Sequence, residues 1–225
     1  MTEPVRRDYW DREITDWAKS SYDPERKGFL DKLRTSVDAR KETALELIAA
    51  HCPRDSVLVD LGCGSGHFVV EALERGLCAK AYGVDFADQG IAFANDMAKA
   101  KGFADRAVFS VGNVLEYDIP AGATLVTGLG LMDWLHEEEN RRLYHKLKDR
   151  RFIVSYSERD GTFAEIVHRV WLCERLRLFG KGVRAYHHDR EFVLDLAKNV
   201  ANAKNPQVVK RKAARFGALV HNLED

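Results

Sequence analysis

The segment Val57-Leu-Val-Asp-Leu-Gly-Cys-Gly-Ser-Gly-His-Phe68 constrains this chain more than any other. A short β-branched run, Ser56–Leu61, reads as a buried strand that delivers Asp60 to its carboxyl end. Gly62, Gly64 and Gly66 then demand a sharp turn into a helix predicted over Phe68–Arg75. In an open α/β sheet, ligands lie in the crevice at such carboxyl ends. Dinucleotide sites space their glycines G-x-G-x-x-G and seat pyrophosphate on the helix N-terminus. Here the spacing is G-x-G-x-G, followed by His67, and a carboxylate stands two residues before the first glycine. Asp60 repels phosphate and suits a cation. Asp85 closes the next predicted strand, where a carboxylate accepts both hydroxyls of a ribose.

The rest of the chain repeats this beat. Strands are predicted at Ala79–Val84, Arg106–Val111, Thr124–Thr127 and Arg151–Ser157, with helices at Asp88–Lys101 and Glu138–Leu147 between them. Such alternation implies right-handed crossovers: a Rossmann-like, doubly wound, mainly parallel sheet with helices on both faces. A helix over Val37–Ala50 precedes the core. Past Ser157 the pattern changes to helices over Thr162–Phe179 and Asp189–Val200. Two short strands, Val208–Ala213 and Ala218–Leu223, are expected to end the sheet as an antiparallel hairpin around Phe216-Gly217. The 225 residues read as a single domain: an aromatic helical arm over residues 1–36, and a core over 37–225 with a helical excursion at 162–200. Trp10, Ile14 and Trp17 share one face of that arm.

Composition narrows the function. Lys plus Arg and Asp plus Glu each number 35, and this balance argues against a nucleic-acid partner, which needs a basic face. Six cations between Lys198 and Arg215 mark the one local exception. Cys52, Cys63, Cys78 and Cys173 have neither zinc nor disulfide-framework spacing. With no apolar leader and no run long enough to span a bilayer, the expected setting is cytoplasmic. No metal site is expected, since Asp189 suits a helix N-cap and His187 and His188 read as a linker.

VLVDLGCGSG together with Gly83-Val-Asp85 resembles the first two motifs of the class I S-adenosylmethionine-dependent methyltransferases. The resemblance covers about Val57–Ser157. It implies S-adenosylmethionine as cofactor and S-adenosylhomocysteine as product. It assigns the methionine part to Asp60, Gly62, Cys63, Gly64 and Gly66, the ribose to Asp85, and the adenine face to Phe86. Gly112-Asn113-Val114 is similar to the adenine segment, with Asn113 where aspartate is commoner, and Gly128 would line the pocket as backbone.

On the acceptor side, Asp133 and Trp134 stand where small-molecule members carry a His-His or His-Tyr pair. Asp133 is the candidate proton acceptor, set against a helix N-terminal carboxylate. His136 is a second candidate, set against a capping residue. Trp10, Tyr22, Trp134, Tyr156 and Arg159 are the candidate contacts of a small polar acceptor. Transfer to RNA or protein through the basic C-terminal stretch, or a non-catalytic cofactor-binding homologue, are the alternatives.

Overall fold

The structure, a computed structural model, describes residues 3–21, 31–179, 183–215 and 217–224. Two helices, α1 (Glu3–Ser21) and α2 (Asp31–His51), precede the beat read from the sequence. It runs β1 (Val57–Leu61), α3 (His67–Glu74), β2 (Lys80–Asp85), α4 (Asp88–Ala100), β3 (Ala107–Val111), β4 (Leu125–Gly128), α5 (Glu137–Lys146) and β5 (Phe152–Ser157). Then follow α6 (Phe163–Phe179), α7 (Arg190–Asp195), β6 (Gln207–Val209) and β7 (Gly217–His221).

The strands form one sheet in the order β3-β2-β1-β4-β5-β7-β6. The first five are parallel, and the register Asp60↔Gly83 and Asp60↔Thr127 sets the middle of the sheet. The reversal of strand order between β1 and β4 creates the crevice in which α/β folds bind ligands. β7 inserts antiparallel between β5 and β6. Side-chain alternation along β1 builds both cores. Leu58 packs with Leu45, Ile48, Val69 and Ile91 on one face. Val59 and Leu61 pack with Leu143, Tyr144, Val193 and Leu196 on the other.

The terminal hairpin departs from expectation. Its first strand stops at Val209 rather than running to Ala213, and a 3-10 turn occupies Lys212–Ala214. Just past this end, the Lys210 ammonium bonds Glu158 at 2.8 Å and also holds Asp160. Phe216, expected at the turn, lies outside the described residues. Asp189 does precede α7, but makes no side-chain cap and faces Arg159 at 3.5 Å.

Helix α1 lies across the carboxyl ends of the strands. Arg6 is buried and forks onto both carboxylate oxygens of Glu139, and it also donates to the Trp134 carbonyl at 2.9 Å. Ile14 packs beside Gly64 and Gly90. The arm is therefore a roof over the crevice.

Candidate active site

The glycine loop is closed by its own backbone. Gly62, Gly64 and Gly66 have φ of 75°, 53° and 76°, the left-handed region that glycine enters without a Cβ penalty. The amides of Gly62 and Cys63 both donate to the Val84 carbonyl, at 2.8 and 3.1 Å. Gly64 N–H donates to Asp85 Oδ2 at 2.9 Å, and Gly66 N–H to the Cys63 carbonyl at 2.9 Å. A phosphate-binding loop must aim such amides outward. These four are spent internally. A Cβ on Gly66 would lie 2.6 Å from Ala94 Cβ, so this glycine is what lets the loop sit on α4.

Two carboxylates flank the loop. Asp60 is 2% exposed and accepts a bond from Thr127 Oγ1 at 2.7 Å. Burial pushes its pKa up to about 7, against the pull of Thr127. A buried carboxylate with one neutral donor and no cation partner among the described residues is suited to receive a positive group. Asp85 ties the loop to the next helix, with Oδ1 accepting from Ala87 N–H at 2.9 Å and Oδ2 from Gly64. Burial raises its pKa as well. The Phe86 amide also bonds this carboxylate, so three of its roughly four acceptor sites are taken and one is left for a ligand hydroxyl.

A family description reading "Methyltransferase domain" matches residues 54–121, the stretch that holds this loop and both carboxylates. The solved magnesium protoporphyrin IX methyltransferase of Synechocystis PCC 6803, with S-adenosylhomocysteine bound, superposes with a TM-score of 0.76. It is 17% identical, with 98% of each chain covered. Residues 54–121 thus match a methyltransferase domain, and the whole chain has the fold of the class I S-adenosylmethionine-dependent methyltransferases. Geranyl diphosphate C-methyltransferase of Streptomyces coelicolor A3(2) shares this methyltransferase fold over 98% of the chain and 97% of its own, with a TM-score of 0.63 and 15% identity. Among curated proteins, a protein-lysine N-methyltransferase of Saccharolobus islandicus is 33% identical over 107 residues, 48% of this chain and 65% of its own. Methyltransferase ungE' of Aspergillus campestris is 44% identical over 59 residues, 26% of this chain and 17% of its own. The chain thus spans less than two thirds of either curated relative.

Other sequence-chosen residues land differently. Gly128 ends β4 beside Leu131, whose Cδ1 would lie 3.2 Å from a Cβ on Gly62, so the β4 loop and the glycine loop meet here. Cys63 is buried, which raises its thiol pKa. Phe86 is half-buried at the start of the α4 turn. The Asn113 oxygen accepts Leu115 N–H at 2.9 Å, the local turn that asparagine favours. The Val114 side chain is 3% exposed and packs in the core with Val84 and Leu115.

The segments after β4 and β5, where acceptor contacts were expected, hold the larger corrections. His136 is the N-cap of α5: its Nδ1 accepts Glu139 N–H at 3.4 Å, and Glu139 returns a bond to His136 N–H at 3.1 Å. The capping box, not acid–base chemistry, accounts for this histidine. Tyr156 is fully buried between Tyr144 and the α7 side of the sheet, with Oη 3.5 Å from Glu158, so it is a core residue rather than an acceptor contact. Arg159 binds the His187 carbonyl at 3.1 Å and half faces solvent. Tyr22 lies outside the described residues. Trp10 and Trp134 do meet, edge to face at 4.8 Å, with Tyr9 beside them.

Asp133 is buried and both its oxygens are engaged. Oδ1 accepts Ser157 N–H at 2.6 Å, while Oδ2 accepts Ser157 Oγ at 2.9 Å and faces Arg40 at 3.4 Å. Three donors thus converge on Asp133 and fix its orientation. Near it sits a pair that sequence reasoning passed over. His168 of α6 and His187 stand with Nδ1 and Nε2 at 3.3 Å, and burial lowers the pKa of both, His168 to about 4. Their charges respond to Asp133. His187 is 7% exposed, not an open linker residue, while His188 turns the other way to Met132 O at 3.0 Å. Alternating side chains gave the signal for that divergence. Nothing local in the sequence links His187 to His168, nineteen residues earlier. Among the described residues no three ligating groups gather as a metal site.

Proposed function

We propose that this methyltransferase moves a methyl group from S-adenosylmethionine to a small polar acceptor, by O-methylation within a biosynthetic pathway. One observation carries the cofactor assignment: a glycine loop with its amides spent internally, flanked by Asp60 and Asp85. Such a crevice disfavours phosphate, welcomes a positive charge near Asp60 and accepts ribose hydroxyls at Asp85. Phe86 would lie against the adenine. When bound, the cofactor supplies a methyl group on a sulfonium.

The chain's own residues then do three things. Asp60, Asp85 and the loop orient one reactant, and orientation of two reactants can remove about 7–11 kcal/mol of barrier. The Arg6–Glu139 pair and the Tyr9, Trp10 and Trp134 cluster hold α1 as a roof that excludes water. Asp133 fixes Arg40 and Ser157, leaving the neutral His168–His187 pair as the proton acceptor for a hydroxyl. The mixed chemistry of the neighbours, from a magnesium protoporphyrin to geranyl diphosphate, supports a small-molecule acceptor without choosing one.

A protein acceptor is the second reading, favoured by the lysine methyltransferase relative. Two of the six cations behind an RNA acceptor are committed elsewhere, Lys210 to Glu158 and Asp160 and Arg211 to Glu46, which weakens that reading. Calorimetry with S-adenosylhomocysteine tests the cofactor site: Asp85→Ala abolishes binding, whereas unchanged affinity removes Asp85 from it. Labelled methyl transfer into a cell extract tests the acceptor, with label in the low-mass fraction supporting the main reading. Label in protein selects the second.

A further inference from the structure

Among the described residues, Arg40 is a buried cation with most of its donors unpaired. It reaches from α2 onto the adjoining ends of β5 and β7, where Ser157 pairs with Gly217. The absent side chain of Gly217 makes the room: a Cβ there would lie 2.5 Å from Arg40 Cδ and 2.9 Å from Nε. Arg40 is 8% exposed, yet its one hydrogen bond among the described residues is the 3.4 Å contact from Nη1 to Asp133. Nε and Nη2, the side fork of the guanidinium, donate to no described group, and neither is sealed from solvent as Arg6 Nε is. A charge taken this far from water calls for closer partners. The neighbouring cations already have theirs: Arg6 binds Glu139, Arg169 binds Glu165 and Arg190 binds Glu158.

Place and charge determine what the fork can take. β4 stands between β1 and β5 in the sheet, so Arg40 lies two strand spacings, about 10 Å, from the strand that carries Asp60. It therefore faces the side proposed for the acceptor, beyond the half assigned to the cofactor. The side fork of a guanidinium matches the two oxygens of a carboxylate. A doubly charged phosphate suits the place less, because Asp133 and the buried Glu165 already supply negative charge around the His168–His187 pair. Burial holds the His168 imidazole below its ordinary value, and Arg40 is among the charges that lower it further. The fork and the imidazole pair thus act on one small volume. A carboxylate seated on Arg40 offsets that charge and makes the pair the stronger base once the acceptor is in place.

We propose that Arg40 selects the acceptor, a small hydroxy acid whose carboxylate sits on the Arg40 fork and whose hydroxyl faces the His168–His187 pair. This rests on the proposed O-methylation of a hydroxyl. The oxygen–hydrogen bond gives way to an oxygen–carbon bond, the proton passes to the imidazole pair, and the electrons of the broken carbon–sulfur bond stay on sulfur. The product is a methyl ether that keeps its carboxylate.

The test uses the full chain, methyl-labelled S-adenosylmethionine and the low-mass fraction of a cell extract. Anion exchange at neutral pH first divides that fraction into an anionic pool and a neutral-and-cationic pool. The wild-type chain labels the anionic pool, and the product survives mild alkali, as an ether does and a methyl ester does not. Arg40→Lys keeps a charge facing Asp133 but loses the fork. It lowers labelling at limiting acceptor about 10–100-fold, while affinity for S-adenosylhomocysteine by calorimetry stays within about twofold of wild type. Should this variant not fold, the pool and alkali results of the wild-type chain still test the proposal. Label confined to the neutral-and-cationic pool, an alkali-labile product, or a product that phosphatase strips of its charge overturns it and leaves the small-molecule reading standing. Lost affinity for S-adenosylhomocysteine in Arg40→Lys also overturns it, since the fork would then hold the cofactor's own carboxylate. Label in protein alone, or in neither pool, overturns both.

Discussion

The two halves of the crevice are built in opposite ways. Around the glycine loop, most ties span neighbouring strand ends: Gly62 and Cys63 to Val84, Gly64 to Asp85, Asp60 to Thr127. The sheet register delivers these groups. Across the crevice, Arg6 reaches Glu139, Arg40 reaches Asp133, and His168 reaches His187, each joining an element outside the parallel core to the segments after β4 and β5. The half proposed for the cofactor is a property of the fold. The half proposed for the acceptor depends on what has been laid over it.

If that contrast is right, the halves respond differently to damage. Arg6→Ala leaves Glu139 buried without its cation, a loss that costs about 3–5 kcal/mol where a buried pair is broken. Hydrogen exchange is expected to show α1 amides losing at least about a hundredfold in protection, with the β1 and β2 amides unchanged. Equal loss in both would mean the halves form one cooperative unit.

Gly66→Ala strikes the other half. It places a Cβ at 2.6 Å from Ala94 Cβ and on a backbone at φ 76°, for an expected cost of about 2–3 kcal/mol. A chain of this size should lose roughly 4–12 °C in melting temperature. A smaller loss would show that the loop can rise off α4.

Asp60 gives the smallest effect and the sharpest sign. Its folded pKa, about 7, is raised above its ordinary value of 3.8. Its contribution to stability is therefore present in full below 3.8 and lost as pH rises through 7. A cationic ligand favours the ionised form, so its affinity moves the other way. From pH 6 to pH 8, S-adenosylmethionine should bind up to about tenfold tighter by calorimetry, and Asp60→Asn should flatten that rise.

The same contrast explains what could be read from the sequence. The strand-loop-strand order, Asp60, Asp85 and the glycines were legible because periodicity and turn chemistry are local. A motif position says which loop a residue occupies, not where its side chain turns: Asn113 bonds within its own turn and the Val114 side chain enters the core. Tyr156 sits at the correct end of β5, yet the strand is covered on both faces, so it is buried. His136 was open between capping and chemistry, and Glu139 three residues on settles it as a cap. Arg6, Arg40 and the His168–His187 pair left no short-range signal, since each meets a partner brought in by tertiary packing.

The central claim is that this glycine loop serves a cation and a ribose rather than a pyrophosphate. Parallel calorimetric titrations of S-adenosylmethionine and NAD⁺ into the wild-type chain measure it directly. The account predicts saturable binding of S-adenosylmethionine, lost in Asp85→Ala, and no binding of NAD⁺. NAD⁺ binding as tightly as S-adenosylmethionine would contradict it.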